Sequence, residues 1–190
     1  HDSRPDPSPA DMKRILLEVI VQSLADALEA ARGGADRLEV VRALEDGGLT
    51  PPLALVQEIT ARVTLPLRVM VRENAGYTTD DGERPALRRA AAAFAAAQVD
   101  GIVIGFAAAG EVALDDVADV LTAAPGVHVT FHRAFDQVRD PLAAIDAIVR
   151  LPRVDRILTS GGAGPPSMRA ERLRAYQARA RARVTIIAGG

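Results

Sequence analysis

Val129-Thr130-Phe131-His132-Arg133-Ala134-Phe135-Asp136 is the stretch on which the fold turns. Residues 129–131 are β-branched and aromatic, the composition of a strand. They run directly into a histidine and an arginine, and Asp136 then leads toward a helix opening near Asp140-Pro141. Two charged, hydrogen-bonding side chains at the carboxyl end of a buried strand are costly unless something there uses them. In barrels and open α/β sheets, ligands sit at that end of the strands.

Outward from this stretch the same unit recurs. Upstream, strands are expected over 15–21, 38–41, 67–72 and 101–105. Between them lie an alanine-rich helix capped by Ser23 and ended by Gly33-Gly34, and a helix entered through Gly47-Gly48-Leu49-Thr50-Pro51. Further helices are expected over 83–97 and about 115–123. Downstream come a helix over 141–150, a strand over 156–160, a helix over 166–181 and a seventh strand over 184–188. Short strands alternating with longer helices indicate serial βα units on a parallel sheet. Asp36, Asp100 and Asp155 each stand just before a strand, in a weak internal repeat. They fall at the amino ends of the strands, the stability face of a barrel. The expectation is an α/β fold, a TIM-type (β/α) barrel with about seven strands. Six units plus one strand leave an eight-stranded barrel short, so its last portion is expected to be missing from this sequence. Residues 12–190 form one barrel domain in this reading, and 1–11, with three prolines and a leading histidine, a tag or disordered extension.

Composition narrows the function. The chain has 190 residues, 48% hydrophobic and 25% charged, enough for one sizeable core. A net charge of −2, 3% aromatics and no tryptophan argue against a nucleic-acid partner. No apolar run approaches the roughly 20 residues of a membrane span. There is no cysteine, so disulfides, thiolate metal sites and a cysteine nucleophile are excluded, and a cytoplasmic address is favoured. The only lysine is Lys13, at the start of the first strand and the wrong end for catalysis, so Schiff-base chemistry is set aside.

Strand side chains alternate between faces. A charge cannot point at the covering helices, so Glu18, Glu39, Arg72 and His132 should all face the barrel interior and converge near its mouth. Glu18 stands within an apolar run, where a lone carboxylate must be protonated or paired. Glu18, Glu39 and His132 are the candidate acid/base groups, and Arg72 and Arg133 the anion anchors. His128, lower on the same strand, is read as structural. Leu158-Thr159-Ser160-Gly161-Gly162 and Ile187-Ala188-Gly189-Gly190 place glycines after two late strands. Thr159, Ser160, Gly161, Gly162 and Gly189 are therefore candidate anion donors. The polar loop after strand three, residues 72–81, is a candidate lid.

These motifs resemble the CutC family, named for copper homeostasis. The resemblance rests on Leu17-Glu18-Val19, Gly34-Ala35-Asp36-Arg37-Leu38-Glu39 and Gly47-Gly48-Leu49-Thr50-Pro51. It extends through Thr130-Phe131-His132-Arg133-Ala134-Phe135-Asp136 and Leu158-Thr159-Ser160-Gly161-Gly162. It implies a cytoplasmic TIM-type barrel, often a homodimer, with a role in copper tolerance, and chains usually running some tens of residues further. Family members often carry cysteine where this chain has Ile20 and Val41, and their Arg-Pro-Arg-Gly-Gly loop is here Arg72-Glu73-Asn74-Ala75-Gly76. Copper(I) prefers soft sulfur ligands, so residue type weighs against it in this chain. Three functions follow. One is an isomerase- or lyase-type enzyme acting by proton transfer on a small anionic metabolite. Another is a metal-binding protein holding a harder divalent ion on Glu18, Glu39 and His132. The third is a non-catalytic interaction barrel.

Overall fold

The computed structural model describes residues 15–189, so the expectations for His1 to Asp11, Met12, Lys13 and Gly190 lie outside the described residues. The first half comprises β1 (Glu18–Val21), α1 (Leu24–Arg32), β2 (Arg37–Val40), α2 (Leu53–Thr60), β3 (Leu67–Met70), α3 (Arg84–Ala96) and β4 (Gly101–Ile104). A two-residue ribbon, β5 (Ala107–Ala108) and β6 (Glu111–Val112), leads into α4 (Leu114–Leu121). Then follow β7 (His128–Phe131), α5 (Pro141–Ile148), β8 (Val154–Thr159), α6 (Pro166–Ala180) and β9 (Thr185–Ala188). Seven strands form one parallel sheet in the order β1-β2-β3-β4-β7-β8-β9. The architecture is the α/β, TIM-type arrangement, present as a curled sheet whose two end strands are not paired with each other among the described residues.

Alternation sorts the side chains. Leu38, Val40, Val69, Ile102, Ile104, Val129, Phe131 and Ile157 pack outward against helical residues such as Val56, Ile59, Leu87, Phe94, Val117, Val120, Ile145 and Ile148. The intervening strand positions face the lumen. Helix starts follow local chemistry. Ser23 accepts from the Asp26 N–H at 3.1 Å, and Asp140 accepts from the N–H groups of Leu142 and Ala143 ahead of Pro141.

Three local expectations change. β1 begins at Glu18 rather than at residue 15, because this end strand pairs on one side only, with β2, and Ile15, Leu16 and Leu17 are exposed. β3 ends at Met70, although Arg72 beyond it stays buried. The β5–β6 ribbon was not anticipated: its turn, Ala109-Gly110, has both residues at positive φ, and alanine carries no signal for that conformation.

The lower lumen is closed by ions rather than by grease. Arg68 on β3 is 0% exposed. Its Nε donates to Asp100 Oδ2 at 2.7 Å, and its two Nη groups donate to both oxygens of Asp155, at 3.0 and 2.7 Å. Arg156 lies 3.7 Å from each of the same two carboxylates, and His128 Nδ1 lies 3.7 Å from Asp155. Asp36 accepts from the Leu17 N–H at 2.9 Å. The repeated aspartates thus do structural work, Asp100 and Asp155 by tying three strands together across the lumen. Gly101 makes the room: a Cβ there would stand 2.7 Å from Arg68 Nη1 and 2.5 Å from the His128 carbonyl oxygen.

Removing Arg68 leaves two carboxylates without their main partner. Arg68→Ala is expected to lower unfolding free energy by about 3–5 kcal/mol, and Gly101→Ala by about 1–3 kcal/mol through overpacking. Urea denaturation followed by circular dichroism measures both; an unchanged midpoint for Arg68→Ala would show that the ion layer is not what closes this end.

Candidate functional site

At the carboxyl ends of the strands lies a cavity of about 300 Å³, lined by residues from both end strands and from β2, β3 and β8 between them. Glu18, Glu39, Arg72, His132 and Arg133 all contribute to its wall, with Ile20, Met70, Leu158 and Ile187 supplying apolar surface. Gly189 stands at its rim, whereas Thr159, Ser160, Gly161 and Gly162 are not part of the lining. A second cavity of about 320 Å³, between the ribbon and α5, has only exposed ionisable groups, Glu111, Arg139 and Asp140, in its wall.

The two glutamates are a pair. Parallel register sets Glu18 beside Arg37 and Ile20 beside Glu39, so Arg37 and Glu39 occupy successive lumen positions on β2. Arg37 Nε donates to Glu18 Oε2, an ion pair in which both side chains are nearly buried. Glu39 is 3% exposed. Burial pushes its carboxyl up to about 8, and the negative charge of Glu18 together with a hydrogen bond to Glu18 pushes the same way, against the charge of Arg37. Near neutrality Glu39 therefore carries a proton beside the Arg37-bound carboxylate.

His132 is fixed by its neighbours. It caps the 3₁₀ turn Arg133–Gln137, and its Nδ1 accepts the Ala134 N–H at 3.1 Å. A ring nitrogen that accepts a hydrogen bond carries no proton, so in the neutral ring the proton sits on Nε2. Nε2 is buried and has no hydrogen-bond partner among the described residues. Burial, and then the charge of Arg72, hold the imidazole down to about 3. His132 is thus a neutral N–H donor on the cavity wall, suited to the electrophile role and not to that of an imidazolium acid. Gly105 seats it: a Cβ there would lie 2.9 Å from Nδ1.

Arg72 lines the cavity but spends its guanidinium on the backbone. Nε donates to Gly76 O, Nη1 to Gly47 O at 3.1 Å, and Nη2 to Ala75 O. It clamps two loops and supports Tyr77, whose ring lies 4.6 Å from the guanidinium carbon and edge-on to His132 at 5.6 Å. Tyr77 is a cavity residue that sequence reasoning missed; the signal was a lone aromatic inside the polar 72–81 loop. Arg133 differs from Arg72. Its Nε donates to Asp136 at 3.0 Å, and no hydrogen bond among the described residues engages its Nη groups.

The two motifs around His132 and Thr159 bind each other. Asp136 accepts from Thr159 Oγ1, from the Ser160 N–H at 3.2 Å and from Ser160 Oγ at 2.8 Å. Burial would raise this carboxyl, but hydrogen bonds from Thr159, Ser160 and Arg133 outweigh it and hold it below the usual range. The N–H groups of Gly161 and Gly162 are donated to Thr159 Oγ1 and Ser160 Oγ. The glycine turn is thereby occupied with its own side chains, which removes the expected backbone cradle for an anion.

The residues do not fit a copper ion. The sequence offers no thiolate, His132 has a protonated Nε2 and an engaged Nδ1, and among the described methionines Met70 lines the cavity and Met168 does not. Among the described residues no group of three or more His, Asp or Glu is placed to hold a metal ion. This weighs against the divalent-ion alternative on Glu18, Glu39 and His132: Glu18 is ion-paired with Arg37, Glu39 holds a proton, and His132 presents a hydrogen.

Two of the perturbed groups, Glu39 and His132, set the pH profile of stability around neutrality. Glu39 rises from 4.5 to about 8 on folding, so its contribution is full below 4.5 and is lost as pH climbs to 8. His132 falls from 6.5 to about 3, so it opposes that loss below 6.5 and is silent above. Between pH 6.5 and 8 the wild type should lose one proton's worth of stability, about 1.4 kcal/mol per pH unit. Glu39→Gln should flatten that slope in urea titrations; an equal slope in the variant would contradict the protonated Glu39.

Among proteins of known family, the chain is 35% identical over 158 residues to a "family protein CutC" of Mesorhizobium japonicum, covering 82% of this chain and 61% of that one. It is 36% identical over 151 residues to the "copper homeostasis protein cutC homolog" of Homo sapiens, covering 77% and 54%. The chain thus spans only about three-fifths of the length of these relatives. The fold matches the crystal structure of a CutC protein from Streptococcus agalactiae with a TM-score of 0.88 at 24% identity, over 93% of this chain and 88% of that one. The CutC family model matches residues 15–190. With the Glu18–Glu39 pair, the His132 stretch and the Asp136-bound glycine turn brought together on a parallel curled sheet, the chain belongs to the CutC family.

Proposed function

We propose that the barrel mouth binds a small anionic metabolite and moves a proton on it, as an isomerase or lyase would. The observation that carries this reading is the Glu18–Glu39 pair: a carboxyl held protonated to about 8 beside an Arg37-bound carboxylate, both opening on a cavity of about 300 Å³. A carboxyl that keeps its proton near neutral pH beside a second carboxyl group is a means of giving and taking a proton. A purely structural ion pair would not need to line a cavity. Arg133, with its Nη groups unengaged among the described residues, is the anion anchor, and His132, whose Nε2–H is buried without a partner there, lines the same cavity. Arg72 acts by shaping the loops and by its field on His132. A cytoplasmic address belongs to the same reading, supported by the cysteine-free sequence.

A panel of small carboxylates and phosphate esters, followed by thermal unfolding, tests the site. A true ligand at a hundred times its Kd should stabilise the wild type by about 2.7 kcal/mol, and Arg133→Ala should abolish the gain. With that ligand in deuterated water, Glu18→Gln should slow proton exchange about 10²- to 10⁴-fold. A ligand stabilising both proteins equally, or exchanging at the native rate in Glu18→Gln, would refute the assignment.

A further inference from the structure

The donors in this cavity differ in kind, and the difference selects a ligand. His132 offers a single N–H on Nε2, neutral, buried at 2% exposure and without a partner. Its tautomer is not free to change, because the Ala134 N–H occupies Nδ1. Such a group can meet only an acceptor, and a neutral donor in a shielded site is suited to an oxygen on which negative charge grows during reaction. The next residue, Arg133, offers unengaged Nη groups on the same wall. A guanidinium fork matches the two oxygens of a carboxylate. The two donors come from consecutive residues, so the groups they meet should be neighbours in the ligand.

A phosphate finds less here. Arg72 already donates through Nε, Nη1 and Nη2 to loop carbonyls. The N–H groups of Gly161 and Gly162 are donated to Thr159 and Ser160. What is left among the described residues is one guanidinium, one neutral N–H, the Tyr77 hydroxyl and the protonated Glu39 carboxyl, beside the apolar side chains of Ile20, Met70 and Ile187.

Resting on the proton-transfer reading above, we infer that the site takes a small 2-oxo acid, its carboxylate on Arg133 and its carbonyl oxygen on the Nε2–H of His132. The ionised member of the Glu18–Glu39 pair removes a proton from the carbon beside the carbonyl. The C–H electron pair becomes the carbon–carbon double bond of an enolate, and the carbonyl π pair moves onto oxygen, where His132 donates. The carboxyl pair then holds both protons, and returning one to carbon restores the ketone. No oxidant, reductant or lysine enters this exchange.

The test uses the full chain labelled with ¹⁵N-histidine, and pyruvate, lactate, acetate and inorganic phosphate as probes. His132 should show the neutral Nε2–H tautomer throughout the range between about pH 5 and 8, and pyruvate should shift that Nε2–H resonance. Deuterium should enter the pyruvate methyl group, with the rate falling about 100-fold or more in His132→Ala. His132→Gln guards against misfolding: its side-chain amide can still donate, so it should recover part of that rate. Lactate binding as tightly as pyruvate, or pyruvate binding with the Nε2–H signal unmoved, would overturn the carbonyl assignment while leaving the anion site standing. Phosphate displacing pyruvate at lower concentration would overturn the carboxylate assignment. Saturable binding of none of the four would remove both this inference and the reading beneath it.

Discussion

The guanidinium of Arg68, sealed from solvent, joins β3 to the amino ends of β4 and β8 through Asp100 and Asp155. Those aspartates are distant in the sequence, and only a sheet curled back on itself brings them to one cation. A buried arginine is tolerated because its donors meet carboxylates in bidentate geometry. Arg156 and His128 add themselves to the same pair of acids. The strand ends on the opposite side are spread around a lumen by this curl, and the cavity they enclose draws its walls from β1 and β9 alike.

Above that layer the lumen changes character. Arg37 and Glu18 continue the ionic column, but Glu39 is the point where charge is suppressed rather than paired, since burial first, and then the repulsion of Glu18, keep its proton on. His132 is likewise kept neutral by burial and by Arg72. The mouth therefore presents proton-bearing neutral groups beside a cationic rim, whereas the base of the barrel presents fully formed ion pairs. The first arrangement can exchange protons with a ligand; the second can only hold strands together.

Loops complete the site by contacts between motifs. Asp136 binds Thr159 and Ser160, so the turn after β7 and the turn after β8 are one hydrogen-bonded body. Arg72 does the same for the turns following β2 and β3, and in doing so lays Tyr77 against His132. Neither arrangement was legible beforehand. The sequence showed Asp136 handing over to a helix and Gly161-Gly162 as an anion cradle, since spacing along a chain does not reveal which side chains will fill which donors. Tyr77 lay in a loop without periodicity, where no face can be assigned.

The fold class, the order of the seven sheet strands and the helices between them, the lumen-facing positions of Glu18, Glu39, Arg72 and His132, and the placement of the repeated aspartates at the strand amino ends were all legible in residue pattern alone. Period-two alternation and serial βα units determine faces and ends before any contact is known. The protonation of Glu39, the tautomer of His132, the engagement of Arg72 and the spare donors of Arg133 were decided by tertiary structure only. Each depends on which neighbour reaches a given atom and on how far water is excluded from it, and those are properties of packing across strands rather than of order along the chain.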